Sequence, residues 1–161
     1  MARYIAFLVL FTFFGCKTSS QQLIKPEKIN IEEIKFNSVS KILVYKISDK
    51  NPNLDKMKKI LDYWFENKIK VNGFEGTLEV LVEDINISEI KKIDYFKFSL
   101  EIIMEFKEKK ESLQKSKTYK IKASEYGTIE GDFSIKDQEN LALNIMYQAI
   151  NSVSKKLIEI Y

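Results

Sequence analysis

FKFSLEIIMEF, residues 96–106, alternates large apolar side chains with mostly polar ones. The apolar set is Phe96, Phe98, Leu100, Ile102, Met104 and Phe106. A period of two residues is the pattern of a β-strand with one buried and one exposed face. At ~3.3 Å per residue this strand would extend about 36 Å. The pattern predicts a sheet that is covered on one side.

Three further strands are predicted around this one. Lys41–Ile47 is rich in β-branched residues and apolar on both faces, which favours a buried strand. Gly76 opens a strand with alternating Leu78, Val80 and Val82, and a linker is predicted at residues 88–92. A charged hairpin tip is predicted at residues 107–117. Alternation at residues 119–124 predicts the fourth strand, and a loop through Gly127 and Gly131 is expected after it. Residues 29–36 alternate loosely and suggest an edge strand or an extended lead-in.

Two amphipathic helices are predicted. Asn51-Pro52 is a suitable helix start, and residues 54–68 carry apolar side chains at three- and four-residue spacing. This helix is expected to end near residues 71–73. Ser134, with Asp137 three residues later, predicts the start of a second helix that runs to the C-terminus, about 39 Å long at ~1.5 Å per residue.

The resulting order is β-α-β-β-β-α, which predicts one α+β domain over residues 29–161. We expect two layers: an approximately four-stranded, mixed but mostly antiparallel sheet, with both helices on one face. The first helix would connect two parallel strands.

Composition excludes several classes of function. The 161 residues contain no His, which excludes Ser-His-Asp catalysis, Cys-His catalysis and a His-ligated metal. They contain a single Cys, which excludes an internal disulfide. A net charge of +3 with well-mixed signs does not favour nucleic acid. There is no glycine-rich phosphate loop or dinucleotide fingerprint. We therefore predict no catalytic residue, no metal and no cofactor. A hydrolase using Glu101 and Glu105 is the least favoured alternative, because that chemistry needs one buried carboxyl with a raised pKa.

The N-terminus carries a targeting signal. Arg3 precedes an apolar run over residues 4–14, which is shorter than the ~20 residues that span a bilayer but typical of the core of a signal peptide. Gly15 and Cys16 follow, and then a polar segment over residues 17–28.

Phe13-Phe14-Gly15-Cys16 resembles the lipobox of bacterial lipoproteins, with Phe13 in place of the usual aliphatic residue. The resemblance implies a signal peptide over residues 1–15, acyl chains of the palmitate type on Cys16, and a flexible tether over residues 16–28. The alternative is cleavage elsewhere, with Cys16 an incidental thiol. In family terms Lys17 favours the outer membrane over the inner one.

The polar face of the sheet is the second candidate site. It is expected to carry Lys97, Ser99, Glu101, Glu105, Lys107, Thr118, Lys120, Lys122 and Ser124. We predict Lys97, Lys107, Lys120 and Lys122 as a ligand or partner face, for phosphate-bearing glycolipid or for the polar interior of a barrel. The alternative is a solvated surface that discourages edge-to-edge aggregation. Aromatic residues on the other face, such as Trp64 and Phe98, are either core or the lining of an acyl-chain pocket.

The element order and the segment KDQENLAL, residues 136–143, resemble the LptE-like lipopolysaccharide-assembly lipoproteins. This resemblance implies a non-catalytic protein, lipid-anchored at the periplasm-facing side of the outer membrane. Its expected partner is the β-barrel protein that inserts lipopolysaccharide, and lipopolysaccharide itself is a possible ligand. The alternative is the auxiliary lipoprotein of an ABC-type lipid or solute transporter, for which an apolar groove between helix and sheet is expected.

Overall fold

A computed structural model of the protein describes residues 32–47, 52–110 and 116–161. The elements are β1 (Ile34–Phe36), β2 (Ser40–Tyr45), α1 (Pro52–Lys68), β3 (Ile69–Val71), β4 (Thr77–Lys92), β5 (Tyr95–Lys109), β6 (Ser116–Glu130) and α2 (Ile135–Ile160). The main sheet has the order β2-β4-β5-β6, and β2 is parallel to β4 while the other pairs are antiparallel. The predicted α+β class, with two helices and a mixed, mostly antiparallel sheet, is confirmed.

The core lies between the sheet and the two helices. Alternate residues of β5 are buried from Phe96 to Phe106, which matches the predicted period. Trp64 of α1 is completely buried, and its indole N–H donates a hydrogen bond to Ser154 Oγ of α2 at 2.8 Å. Its ring meets Phe106 edge-on, with the ring centroids 6.3 Å apart. The aromatic side chains therefore belong to the core that joins both helices to the sheet.

A second, two-stranded sheet was not predicted. Helix α1 ends at Lys68, and β3 then pairs with β1 in parallel, which places Ile34 opposite Ile69. The backbone N–H of Asn72 donates to the carbonyl of Phe36 at 3.1 Å. The prediction that the helix continues to residues 71–73 is wrong because this pairing satisfies the backbone groups instead.

The prediction of a buried strand at Lys41–Ile47 is also wrong. Strand β2 is an edge of the main sheet, and no residue from Ser40 to Tyr45 is fully buried. The strand has apolar residues on both faces, but only one face is covered: Leu43 packs against the core, whereas Ile42 is half exposed. The Lys41 ammonium donates to the carbonyls of Phe65 (2.6 Å) and Ile69 (2.9 Å), so it satisfies carbonyl groups at the end of α1.

Strands β4, β5 and β6 are longer than predicted. The expected linker at residues 88–92 belongs to β4, which pairs with β5 as far as Lys92 and Tyr95. Gly127 lies inside β6 opposite Phe98, and a Cβ there would approach Leu141 Cδ1 of α2 to 2.7 Å. Residues 88–92 lack a strong strand pattern because they are exposed on both faces. The pattern around Gly127 is weak because a glycine is needed there to make room for α2. The charged tip is correspondingly shorter, since residues 107–109 and 116–117 are in strands.

The predicted start of α2 is confirmed as a reciprocal cap. The Asp137 N–H donates to Ser134 Oγ at 3.2 Å, and the Ser134 N–H donates to Asp137 Oδ2 at 2.8 Å. Hydrogen bonds from the Ser134 side chain and backbone lower the pKa of the Asp137 carboxyl below its ordinary value.

Replacing Ser134 with alanine is expected to lower the free energy of unfolding at pH 7 by about 1 kcal/mol, since an N-cap bond is lost. Because the folded-state pKa of Asp137 is lowered, the stabilisation that its carboxylate gains from the Ser134 hydroxyl is present above the ordinary aspartate pKa. This part disappears as the pH falls through the folded-state value. Urea unfolding at several pH values should therefore show a smaller difference between the two proteins in acid, where the loss of the bond from the Asp137 N–H to Ser134 Oγ remains. Ser116→Ala, at the exposed start of β6, is the control and should be near neutral at every pH.

Candidate functional site

The side of the main sheet that faces away from the helices carries mostly polar side chains, and we call it the open face. Side chains alternate along each strand, so the neighbours of the buried residues point to this side. Its members on the three long strands include Glu79, Leu81, Glu83, Asp84, Asn86, Ser88 and Ile90 of β4, Lys97, Ser99, Glu101, Ile103, Glu105, Lys107 and Lys109 of β5, and Thr118, Lys120, Lys122, Ser124 and Tyr126 of β6.

All four lysines of the predicted face lie on the open face. Lys97 and Lys107 stand near the two ends of β5, and Lys120 and Lys122 are two residues apart on β6. The Lys97 ammonium lies 4.9 Å from the centre of the Tyr126 ring. The structure therefore brings the predicted residues onto one surface, spread along it and not gathered at one point.

Carboxylates neutralise much of this lysine charge. Lys120 Nζ lies 2.5 Å from Glu83 Oε2, and Lys122 Nζ lies 2.8 Å from Glu101 Oε2. Lys109 forms a further ion pair with Glu79. The acids on β4 were not recognised as counter-ions from sequence, because the pairing register that brings them beside the lysines is not visible in either strand by itself.

Three members of these ion pairs have a shifted pKa. The hydrogen bond from Lys122 is the main reason that the pKa of Glu101 is lowered, and the Lys109 hydrogen bond does the same for Glu79. The pKa of Lys120 is raised, chiefly by its hydrogen bond to Glu83. These shifts describe a mixed-charge surface, in which signs alternate across neighbouring strands.

The carboxylate pair of the hydrolase alternative lies on this surface. Glu101 accepts hydrogen bonds from Lys122 and from Ser124 Oγ at 3.1 Å. A lowered pKa is the opposite of what a general acid needs. Among the residues that the structure describes, no cluster of His, Cys, Asp and Glu is suited to holding a metal ion.

One part of the open face is concave. A hollow of about 650 Å³ is bordered by the side chains of Asn86, Ser88, Lys97, Ser99, Glu101, Ser124 and Tyr126. Ser88, Ser99 and Tyr126 occupy one row across β4, β5 and β6. Ser88 and Tyr126 are not among the predicted site residues, because the sequence pattern places Ser88 in a linker and Tyr126 just before the glycine of a predicted loop.

A buried carboxyl lies at the opposite end of β5, on the core side of the sheet. Glu108 is 4% exposed, although the sequence assigned it to a solvent-exposed hairpin tip. It accepts hydrogen bonds from Ser38 Oγ (3.4 Å) and from the Tyr161 hydroxyl (3.3 Å). The Tyr161 ring also packs on Phe36 at 4.5 Å, and burial raises the pKa of its hydroxyl. This cluster joins the end of α2 to β1 and β5, so we assign it a structural role.

Cys16, the signal-peptide segment and the tether lie outside the described residues. Within the described ranges, no helix combines the length and the apolar character needed to cross a membrane.

No protein-family model and no curated protein matches the sequence. Solved structures with a similar arrangement include a minor lipoprotein from Acinetobacter baumannii, at 11% identity and TM-score 0.39, covering 74% of this chain and 87% of that one. Rare lipoprotein B from Shewanella oneidensis matches at 10% identity and TM-score 0.39, covering 75% and 95%. A neuraminyllactose-binding hemagglutinin homolog from Helicobacter pylori matches at 14% identity and TM-score 0.36, covering 83% and 90%. These similarities are too distant to assign a function.

Proposed function

We propose that this protein is a non-catalytic, lipid-anchored component of the bacterial envelope. Acyl chains on Cys16 would hold it at the periplasm-facing side of the outer membrane, where it would serve as the accessory of a β-barrel that assembles lipopolysaccharide. The anchor is supported by the apolar run at residues 4–14, which leads directly into Gly15 and the only cysteine. The lack of histidine and the ion-paired state of Glu101 support a role without catalysis.

The observation that carries the accessory role is the open face. Strands β5 and β6 pair over fifteen residues, which is about 50 Å at ~3.3 Å per residue. Both described helices pack on the other side of this sheet. A broad, rigid surface of alternating charge is suited to a polar protein partner, because complementary charges set specificity and register more than raw affinity.

The filled space between the helices and the sheet argues against the transporter alternative. That alternative predicts an apolar groove there, but Trp64, Phe98 and Phe106 fill the space and are completely buried. A smaller cavity of about 220 Å³ lies near the starts of both helices. Charged side chains border it, including Lys56 and Glu139, whose ion pair of 3.4 Å connects α1 with α2. A crevice of this size with charged side chains at its border favours the accessory role over the carriage of an acyl chain.

The proposal is tested by purifying the native protein in mild detergent with a photo-crosslinking amino acid at position 120, on the open face. We expect a stoichiometric outer-membrane barrel protein, identified by mass spectrometry, that crosslinks to position 120. The matched control is position 63 on α1, where Tyr63 is similarly exposed but lies on the helix layer, and it should not crosslink. Inner-membrane transporter subunits would instead support the alternative. The absence of any partner would contradict the accessory role.

A further inference from the structure

We infer that the hollow on the open face is a binding site for a neutral saccharide. This inference goes beyond the proposed function and does not depend on it. The hollow has a volume of about 650 Å³, which falls in the range of about 300–1,000 Å³ that is usual for small-molecule sites.

The depth of the hollow results from small side chains on the open face, toward the end of the sheet where β4 connects to β5. Ser88 on β4 pairs directly with Ser99 on β5, and Ser124 lies one row away on β6. Longer side chains stand around them: Asn86 and Glu101 lie in the adjoining row, Tyr126 ends the serine row on β6, and Lys97 lies in the next row on the other side. Because three adjoining strands form the floor, the site is held by backbone pairing and needs no loop closure.

The floor of the hollow offers two serine hydroxyls to a ligand. Neither the Ser88 nor the Ser99 hydroxyl has a hydrogen-bond partner among the described residues. Each hydroxyl can donate one hydrogen bond and accept two, which is the same capacity as a sugar hydroxyl. The Glu101 carboxylate adds acceptor capacity beyond the bonds from Lys122 and Ser124. A polyhydroxylated ligand would match these groups in both donors and acceptors.

Tyr126 supplies an apolar surface at the edge of the hollow. The residue is 68% exposed although it is aromatic, and the Lys97 ammonium lies over its ring at 4.9 Å. That contact orients the ring, and a tyrosine side chain gives up little rotamer freedom on binding. The C–H surface of a sugar ring can pack against such an aromatic side chain, while its hydroxyls reach the serines.

The charges around the hollow favour a neutral ligand over an anion. Lys122 is ion-paired with Glu101. Lys97 keeps its charge over the Tyr126 ring and is the one lysine among the described residues that borders the hollow. The pKa of Glu101 is lowered, so its carboxylate is charged at neutral pH and would repel a phosphate or sulfate placed beside it.

The test is an NMR titration of the full-length ¹⁵N-labelled protein in a zwitterionic detergent, because glycoside detergents would present a competing sugar. Glucose, galactose and N-acetylglucosamine are the probes. We expect saturable shifts of the Ser88, Ser99 and Tyr126 amides with at least one sugar. We expect Tyr126→Ala to weaken that affinity about tenfold, which corresponds to ~1.4 kcal/mol. Ser99→Ala, which removes the hydroxyl and adds no atom to the floor of the hollow, should weaken it as well.

Two controls keep the inference falsifiable. Tyr63→Ala removes an exposed tyrosine outside the hollow and should leave sugar affinity unchanged, and preserved dispersion of the amide signals shows that each variant is folded. Inorganic phosphate is titrated in parallel. Saturable phosphate shifts at Lys97 and Lys122 without a sugar response would overturn the inference in favour of an anion site. Lack of a saturable response to all three sugars would overturn it as well, whatever the outcome of the partner purification.

Discussion

Replacing Trp64 with alanine is expected to lower the free energy of unfolding by about 3–5 kcal/mol, as for other large aromatic side chains removed from a core. Trp64 is completely buried between α1, α2 and β5. Its loss would leave a cavity beside Phe106 and remove the donor that Ser154 Oγ accepts. Because it connects all three elements, we expect one cooperative loss of stability, not local fraying of one helix.

The matched control is Tyr63→Ala, at the neighbouring position of the same helix. Tyr63 is 60% exposed, so its removal should change stability by no more than about 0.5 kcal/mol. Urea unfolding should be followed by circular dichroism, since Trp64 is the only tryptophan and its fluorescence is lost in the variant. Equal costs for the two substitutions would mean that α1 does not pack as described.

Replacing Cys16 with serine is expected to abolish incorporation of labelled palmitate, because lipoprotein acylation requires the thiol. Each buried CH₂ of an acyl chain contributes ~0.8 kcal/mol to membrane binding, so loss of two or three chains removes the anchor. Intact mass spectrometry should show wild-type protein that lacks residues 1–15 and carries acyl chains. The variant should retain those residues and carry none.

Mass measurement is preferable to membrane fractionation here, because the apolar run at residues 4–14 would keep an uncleaved precursor at the membrane. Thr18→Ser, two residues after the cysteine, is the control and should be labelled like the wild type. A Cys16→Ser protein with the same mature N-terminus as wild type would show that cleavage is independent of the cysteine. That result would favour an ordinary signal peptide.

The strongest periodic segments were predicted correctly because each has a clear buried side. The alternation in β5 and the four-residue spacing in α2 describe faces that meet the core along their whole length. The Ser134 cap could be predicted for a related reason, since its partner Asp137 is only three residues away. Local patterns suffice where burial or hydrogen bonding is itself local.

The errors occur where pairing partners are distant in sequence. Strand β3 forms because β1 lies beside it, and residues 88–92 remain in a strand because β5 continues to pair with them. The position of β2 at the sheet edge depends on strand order, which the sequence of β2 does not contain. In each case backbone hydrogen bonds to a remote strand decide the conformation, and the side-chain pattern carries little information about them.

The open face shows the same division. The sequence by itself placed Lys97, Lys107, Lys120 and Lys122 on one side of the sheet, because side chains in a strand alternate with a period of two. Only the tertiary structure decided what surrounds them. An irregularity in β4 between Val82 and Asp84 shifts the register of β4 against β5. Glu83 forms an ion pair with Lys120 of β6, and Ser88 lies opposite Ser99 of β5. Register is set by the summed packing and hydrogen bonding of whole strands, so it is a property of the assembled sheet and of no single segment.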